Sequence, residues 1–330
     1  IGSVSTNLAV LDEDKNLLAH RYLATAGRPI EAVRLGLSEI GQEVGDKVDI
    51  IGVGTTGSGR YMIGELVGAD LVKNEITAQA EGALHHDRTV DTIFEIGGQD
   101  SKYISLDQGV IVDFTMNKAC AAGTGSFLEE QAEKLGINII QQFSQLAEAA
   151  RTTIPLGDRC TVFIESELNH HLQAGATKEE LAAGLAVSIV QNYLNKVVET
   201  RRIGKNIFFQ GGVAANRAVV KAFERVTGKK ITVPPHHGIT GAIGIALLSM
   251  QAKKWDRSRF KGFDLAQKNY TVESFECKSC SNLCEINRIA VNGDSPVFFG
   301  GRCEKYEKSI SPAFSRLPDL FKERDAIVFQ

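Results

Sequence analysis

The chain has 330 residues, of which 43% are hydrophobic and 23% are charged, and its formal net charge at pH 7 is −3. These values are typical of a soluble globular protein with room for more than one core-forming domain. No basic run and no apolar stretch of membrane-spanning length occurs, which argues against a nucleic-acid-binding protein and against a membrane protein. Six cysteines without a secretory leader indicate metal or redox chemistry in a reducing compartment, so we expect a cytoplasmic protein.

The first segment predicts a hairpin followed by a helix. Leu8–Leu11 and Leu17–Tyr22 flank a polar turn, and the first of these strands begins at the Gly/Ser/Thr loop 1–7. Apolar residues at helical spacing from Ile30 to Val44 then predict an amphipathic helix.

A second strand is predicted at Val48–Val53. It runs into Gly52-Val-Gly-Thr-Thr-Gly57, which matches the dinucleotide-binding fingerprint. Since glycines soon afterwards leave little room for a crossover helix of the usual length, we interpret this run as a turn and not as a nicotinamide site.

The same order of elements returns near residue 95. Thr92–Ile96 is an apolar strand that ends in a Gly/polar loop, and Tyr103–Leu106 with Val110–Phe114 forms another hairpin. This repetition predicts two related domains that face each other. An amphipathic helix is predicted next, at Lys178–Val198. After it we expect a strand at Asn206–Phe209, a helix through 219–226, a strand at Ile231–Val233 and a closely packed small-residue helix after Pro234.

No Walker P-loop pattern occurs, which excludes that class of NTPase. Three other loops still suit phosphate, because glycines let backbone amides approach anionic oxygens and hydroxyls add donors. They are Gly2–Asn7, Gly97–Ser101 and Gly211-Gly212. Asp100 or Glu95 suits a water-bridged Mg²⁺. One such loop is equally well explained as a tight turn, but three in this order favour a nucleotide cleft.

Two cysteines lie at the start of helical patterns. Cys120 precedes a helix that carries Phe127 and Leu128 and stops at Gly136, and Cys160 enters a second apolar helix. Unpaired amides and the helix dipole at such positions lower a thiol pKa and favour metal ligation. Two thiolates are half of a four-thiolate iron–sulfur site, and a two-fold dimer would supply the other half. Alternatively, both are ordinary core residues.

Four further cysteines predict a second metal site. Cys277, Cys280 and Cys284 lie close together, and Cys303 follows the hairpin signal Asn292-Gly-Asp294. Folding the hairpin of Ile286–Val291 and Val297–Phe299 brings Cys303 beside the other three. Four thiolates bind zinc or an iron–sulfur cluster, and although the short β-ribbon favours zinc, the sequence leaves that choice open.

These motifs together resemble the ATPase activators of 2-hydroxyacyl-CoA dehydratases and the related ATPase subunits of benzoyl-CoA reductase. The resemblance covers residues 1–252 and implies an α/β fold. In it, two duplicated ribonuclease H-like domains of the acetate/sugar kinase, heat-shock chaperone and actin superfamily precede the small cysteine-rich β-ribbon module. The motifs that carry it are Gly2-Ser-Val-Ser-Thr6, Ile96-Gly-Gly-Gln-Asp-Ser-Lys102, Asn117-Lys-Ala-Cys-Ala-Ala-Gly-Thr-Gly125, Cys160-Thr-Val-Phe-Ile-Glu-Ser-Glu167 and Gly211-Gly-Val-Ala-Ala-Asn216.

The resemblance implies a homodimer in which Cys120 and Cys160 of each subunit bridge one [4Fe–4S] cluster. ATP binding and hydrolysis would drive a low-potential electron from a reductant such as ferredoxin or flavodoxin into an iron–sulfur enzyme that acts on CoA thioesters. Catalytic roles fall to Asp100, Glu95 and Gln99, and Mg²⁺ accompanies ATP or ADP. The implied nucleotide-binding residues are Gly2, Ser3, Ser5, Thr6, Asn7, Gly97, Gly98, Gln99, Asp100, Ser101, Gly123, Gly125, Gly211, Gly212, Val213, Asn216 and Gly238.

Two departures from the family pattern bear on hydrolysis and not on nucleotide binding. The family's first-loop Asp would precede Ile1, and Asn7 replaces the usual Lys. Two alternatives therefore stay open: a small-molecule kinase of the same fold, which gives the cysteines no role, and a non-hydrolysing ATP-binding regulatory module.

We predict five divisions of the chain: a first ATPase half at 1–90, a second half with the cluster helices at 91–252, a linker at 253–275, the four-cysteine module at 276–304 and a connector at 305–330. Because neither end looks like a natural start or stop, we expect a piece of a longer polypeptide.

Overall fold

The computed structural model describes residues 1–117, 121–252, 255–291, 296–301, 303, 305, 306, 324 and 327. The chain forms two compact units, Ile1–Ala266 and Gln267–Gln330. In the described segments, every helix is too short or too polar to cross a membrane.

The first unit begins with the predicted hairpin. Strands β1 (Ser5–Leu11) and β2 (Leu17–Ala24) are antiparallel. Helix α1 (Pro29–Val44) covers them, because its apolar spacing places Ile40 and Val44 on one buried face against Ala19. The hairpin and the helix are confirmed.

The buried strand expected at Val48–Val53 is wrong. Within the described chain this segment has no ladder partner, and Ile51 is 55% exposed. Two of its backbone groups bond outside any ladder: the amide of Val53 donates to Asp70 Oδ2 at 2.9 Å, and the indole of Trp255 donates to the carbonyl of Ile51. The strand that does form is the next one, β3 (Gly54–Thr55), which pairs in parallel with β4 (Leu71–Val72) across helix α2 (Arg60–Val67).

Helices α3 (Glu75–His86) and α9 (Thr240–Ala252) pack against each other. The contact requires glycine, because a Cβ at Gly244 would overlap the carbonyl oxygen of Ala78. The predicted close packing of the small-residue helix is therefore confirmed, and α3 is its partner.

A five-stranded sheet organises the rest of this unit. In spatial order its strands are β7 (Val110–Met116), β6 (Ser101–Asp107), β5 (Thr92–Ile96), β8 (Ile207–Gln210) and β9 (Ile231–Thr232). The last three run parallel, and β6 is antiparallel to both of its neighbours. β5 and β8 are buried along their whole length, as expected for apolar runs at the centre of a sheet. The predicted strands are confirmed.

Five helices pack with this sheet: α4 (Gly125–Lys134), α5 (Phe143–Ala149), α6 (Thr161–Gln173), α7 (Lys178–Tyr193) and α8 (Arg217–Thr227). Helix α7 contacts the other four and is buried on nearly all sides, so the amphipathic character predicted for Lys178–Val198 is wrong. Its small residues allow this interior position, and Tyr193 packs on Phe94 with ring centroids 5.3 Å apart. A π-turn, Leu194–Val198, ends the helix.

The second unit contains a three-stranded antiparallel sheet. Its strands are β10 (Tyr270–Glu276), β11 (Glu285–Val291) and β12 (Val297–Phe299). The predicted β11–β12 hairpin is confirmed by its register, Asn287 opposite Phe299, while the turn at Asn292-Gly-Asp294 lies outside the described residues. Sequence reasoning missed β10, which begins inside the predicted linker.

Candidate functional site

A cavity of about 780 Å³ lies in the first unit, where several glycine-containing loops meet. Its wall includes thirteen of the residues predicted to bind nucleotide or act in catalysis. They are Gly2, Ser3, Ser5, Thr6, Asn7, Glu95, Gly97, Gly98, Gln99, Asp100, Gly211, Gly212 and Gly238. The three predicted loops are therefore brought together in space.

The first two loops have the same turn geometry. The amide of Gly2 donates to the carbonyl of Ser5 at 2.9 Å, and the amide of Gly97 donates to the carbonyl of Asp100 at 2.9 Å. Each turn leads into a strand of an antiparallel hairpin. The loops also touch, since a Cβ at Gly98 would lie 2.5 Å from Val4 Cγ2.

The third loop depends on a glycine that no other residue replaces well. Gly211 has φ of 89°, and a Cβ there would overlap the carbonyl oxygen of Ile96. Its amide donates to the carbonyl of His237 at 3.0 Å, and His237 Nδ1 lies 2.9 Å from the carbonyl oxygen of Gly211. The side chain of Asn7 donates to the carbonyl of Gly238 at 3.0 Å, which joins the first loop to this wall.

An ion pair lies in the cavity wall. Lys102 Nζ is 2.8 Å from Glu95 Oε2 and 3.8 Å from Glu75 Oε1, and Lys102 and Glu95 are only 4% and 5% exposed. Burial raises the pKa of the Glu95 carboxyl despite the opposing charge of Lys102. Burial alone would lower the pKa of Lys102, but the carboxylates of Glu95 and Glu75 outweigh it and raise that pKa.

This ion pair distinguishes Glu95 from the other two catalytic candidates, Gln99 and Asp100. Because Glu95 is buried and engaged by Lys102, its carboxylate is poorly placed to hold a hydrated metal ion. Asp100 is half-buried and Gln99 is exposed, and both line the cavity. The geometry therefore favours Asp100 as the carboxylate that would face Mg²⁺.

Three buried polar atoms in the wall have no hydrogen-bond partner among the described residues. They are Asn7 Oδ1, Thr56 Oγ1 and Gln79 Oε1. Buried polar groups are rarely left unpaired in a folded protein, so this cavity suits a polar ligand with its bound water.

Four polar side chains are among the wall residues that sequence reasoning did not assign to the site. Thr56, Gln79, Lys102 and Tyr22 all line the cavity, and the Tyr22 hydroxyl lies 3.0 Å from where a Cβ would stand at Gly212. For Thr56 a signal was present, because Thr55-Thr56-Gly57 is another Gly/Thr loop that directly follows a strand.

Five predicted nucleotide contacts do not line the cavity: Ser101, Gly123, Gly125, Val213 and Asn216. They support the loops instead. The side chain of Asn216 caps α8 by accepting from the amide of Ala218 at 3.1 Å, and the amide of Gly125 donates to the carbonyl of Gly97 at 2.8 Å.

The segment that contains Cys120 is anchored to the second loop on both sides. Cys120 itself lies outside the described residues. Before it, Asn117 Oδ1 accepts from the amide of Ser101 at 2.8 Å, and its Nδ2 donates to the carbonyl of Gln99 at 3.3 Å. After it, the amides of Gly125 and Ser126 donate to the carbonyls of Gly97 and Gly98, each at 2.8 Å.

Cys160 is the N-cap residue of α6, as predicted, and it is half-buried. Its backbone carbonyl accepts from the amide of Ile164 at 3.2 Å, while Val162 and Phe163 next to it are 67% and 56% exposed. In the described part of the chain, no three His, Cys, Asp or Glu side chains are grouped so that they could hold a metal ion.

In the second unit, Cys277, Cys280 and Cys284 lie in the loop between β10 and β11, and Cys303 follows β12. The thiols of all four are free. The pKa of Cys277 is lowered by hydrogen bonds from the backbone and the hydroxyl of Ser279 and from the hydroxyl of Tyr306.

Residues 1–249 match the protein family described as the BadF/BadG/BcrA/BcrD ATPase family. The chain belongs to this ATPase family. The activator of lactoyl-CoA dehydratase of Anaerotignum propionicum is 34% identical over 256 residues, which is 76% of this chain and 96% of that protein. An uncharacterized protein of Methanocaldococcus jannaschii is 35% identical over 222 residues, which is 66% of this chain but only 53% of that protein.

A solved structure agrees with this family membership. The activator of the 2-hydroxyisocaproyl-CoA dehydratase from Clostridium difficile, with bound ADPNP, has a TM-score of 0.68 to this chain at 30% identity. The match covers 76% of this chain and 92% of that one. The α/β fold and the family resemblance read from the sequence are confirmed.

Proposed function

We propose that the first unit is an ATP-dependent electron-transfer activator that works as a homodimer. Its family membership, the dehydratase activator among its relatives and the ADPNP bound by a similar structure support this proposal. The single observation that carries it is the anchoring of the Cys120 segment to the 97–101 loop at Asn117 and at Gly125–Ser126. A change in that loop is thereby passed to the cysteine.

In this proposal the cavity holds ATP with Mg²⁺. The matched turns at Gly2 and Gly97 direct backbone amides towards phosphates, and the Gly211-Gly212 loop, which carries no side chains, receives the adenosine. Asp100 would hold Mg²⁺ through water, and Gln99 would orient the attacking water. The matched turns also support the duplicated-domain interpretation, in which each half of the unit contributes one phosphate loop.

The proposed cluster is shared between two chains. Cys120 and Cys160 offer two thiolates per chain, and a [4Fe–4S] cluster with four thiolate ligands needs a second copy. The position of Cys160 at a helix N-terminus fits an anionic cluster, and the exposed Val162 and Phe163 beside it offer an apolar surface to that copy. The bound cluster would supply one-electron chemistry.

Each cycle balances as follows in this proposal. A reductant of the ferredoxin or flavodoxin class gives one electron to the activator and is oxidised. ATP and water become ADP and phosphate while the activator passes that electron to an iron–sulfur enzyme that acts on CoA thioesters. This chain provides the phosphate loops and their bonds to α4. It also provides the bond from Asn7 to Gly238, and Asn7 stands where the resemblance leads one to expect lysine.

Anaerobic purification with iron and sulfide analysis tests the cluster. We expect about four iron atoms per two chains, and we expect Cys160→Ser and Cys120→Ser to remove them while ATP binding, measured by calorimetry, persists. Cys277→Ser is the matched control, because it removes a thiol from the other unit. A Cys160→Ser protein that keeps its full iron content would overturn the proposal.

A further inference from the structure

The second unit has very little apolar core. In its described residues, the buried apolar side chains are Cys277, Ile286, Ile289 and Val291. Strand β10 is exposed from Thr271 to Glu276, including Val272 at 48%. A sheet of three short strands with so little burial needs a further source of stability, and small domains of this kind commonly use a metal ion.

The fold places three cysteines in one closed loop. Glu276 and Glu285 are paired at the end of the β10–β11 ladder, and the loop beyond them is closed by a hydrogen bond of 2.8 Å from the amide of Cys277 to the carbonyl of Cys284. Inside it, the amide of Leu283 donates to the carbonyl of Cys280 at 3.3 Å. Leu283 has φ of 43°, a left-handed conformation that ordinary residues seldom adopt. The tight loop therefore holds Cys277, Cys280 and Cys284 at one end of the sheet.

The fourth cysteine is brought to the same end. After β12 the chain turns at Gly300, which has φ of 102° and where a Cβ would overlap the carbonyl oxygen of Glu285. A Cβ at Gly301 would lie 3.5 Å from Ile286 Cδ1 and 3.0 Å from the carbonyl oxygen of Cys303. Glu285 directly follows Cys284, so the glycine pair lets the segment containing Cys303 approach the cysteine loop.

Side chains after Cys303 strengthen this approach. The Tyr306 hydroxyl lies 3.7 Å from Cys277 Sγ, and its ring lies 5.8 Å from the rings of Phe275 and Phe298. Lys305 Nζ donates to the hydroxyl of Ser279 inside the cysteine loop. These contacts join the first and last cysteines of the set through neighbouring residues.

We propose that Cys277, Cys280, Cys284 and Cys303 hold one structural zinc ion, independently of the nucleotide site and the shared cluster. Four thiolates from one chain give the closed tetrahedral coordination of a structural zinc site, with no position left for substrate. Because no three of these side chains are grouped as ligands in the described structure, binding requires the thiols to turn inward. The metal thereby links the β10–β11 loop to the segment after β12, and its binding free energy adds to the stability of the unit.

The test uses the full chain, loaded with zinc, desalted and analysed for bound metal. The wild type and Cys160→Ser should each bind one zinc per chain, whereas Cys280→Ser and Cys303→Ser should lose it. Both replaced residues are exposed, so neither substitution leaves a hole in a core, and unchanged ATP binding will show that the first unit is intact. Cobalt in place of zinc should give the absorption of tetrahedral thiolate coordination in the wild type and Cys160→Ser, and not in Cys280→Ser or Cys303→Ser.

Two results would overturn this assignment. One is that the Cys280→Ser protein and the Cys303→Ser protein both retain their full zinc content. The other is that the Cys160→Ser protein, purified anaerobically, contains iron and sulfide that Cys280→Ser removes, because the four thiolates would then hold an iron–sulfur cluster.

Discussion

The amide of Gly125 donates to the carbonyl of Gly97 at 2.8 Å, and this bond anchors the first residue of α4 to the loop proposed to bind phosphate. The next residue, Ser126, repeats the bond to Gly98 at the same length. Both bonds join backbone groups, so they do not depend on the side chains of either segment. The helix that follows Cys120 therefore cannot shift without a change in that loop.

Replacing Gly98 should separate the two phosphate loops. In Gly98→Ala the new methyl group meets Val4, whose nearest atoms lie 2.5–2.9 Å away. Overpacking of this kind costs about 1–3 kcal/mol. Because relieving this overlap moves the two phosphate loops apart, we also expect ATP affinity measured by calorimetry to fall about tenfold, which corresponds to about 1.4 kcal/mol.

Two further variants make this test specific. Gly45→Ala is the control, because its Cβ would meet Phe263 at an ordinary 3.6 Å. Val4→Gly combined with Gly98→Ala should recover much of the lost affinity, since it removes all three Val4 atoms that the new methyl group meets. If the double variant binds ATP no better than Gly98→Ala, the loss has another cause.

Removing Lys102 should make the free energy of unfolding depend on whether the Glu95 carboxyl is protonated. Lys102→Met leaves a buried carboxylate unpaired, which costs about 3–5 kcal/mol at neutral pH. Burial already raises the pKa of Glu95, and loss of the lysine raises it further. A carboxyl with a raised folded-state pKa is favoured when protonated, so its contribution is most favourable at low pH and is lost as pH rises through that pKa.

Chemical denaturation at several pH values measures this effect. The deficit of Lys102→Met relative to the wild type should shrink as pH falls towards 4.5, the ordinary pKa of a glutamate. Lys102→Met with Glu95→Gln is the control and should show no such recovery. If the free energy of unfolding of Lys102→Met lies below that of the wild type by the same amount at every pH, the buried Glu95 carboxylate is not the cause of the deficit.

The Glu95–Lys102 ion pair is also an example of a contact that the sequence analysis did not predict. The strands of the five-stranded sheet, the three hairpins and most helices followed from local periodicity, and the three loops followed from their glycines. The pair depends on register: Glu95 stands opposite Lys102 in the β5–β6 ladder, so both side chains share one face. Counting back across the tight turn at Gly97–Asp100 would have revealed it. Nothing local could show that Val48–Val53 lacks a strand partner among the described residues.

Asp100 should matter only when Mg²⁺ is present. Asp100→Ala removes the half-buried carboxylate that faces the cavity, and we expect ATP affinity with Mg²⁺ to fall by about tenfold, which corresponds to 1.4 kcal/mol. Affinity in the presence of a chelator should change little. Asp107→Ala is the control, because Asp107 is exposed at the far end of β6. An equal loss with and without Mg²⁺ would assign Asp100 a structural role instead.

Asn117 provides the most direct test of coupling between the nucleotide and the cysteine segment. Its side chain bonds to Ser101 and Gln99, it does not line the cavity, and losing its bonds should loosen the connection without removing a nucleotide contact. Asn206→Ala is the matched control, since Asn206 also makes side-chain hydrogen bonds, to Asp87 at 2.9 Å and to Thr89.

The decisive measurement is the rate at which a ferrous chelator removes iron from the anaerobically purified protein, with and without saturating Mg²⁺-ATP. In the wild type and Asn206→Ala we expect ATP to change this rate about fivefold or more, the lower range of allosteric couplings. Asn117→Ala should bind ATP with similar affinity but lose most of that change. A full ATP effect in Asn117→Ala, or no ATP effect in the wild type, would contradict the coupling of nucleotide to cluster.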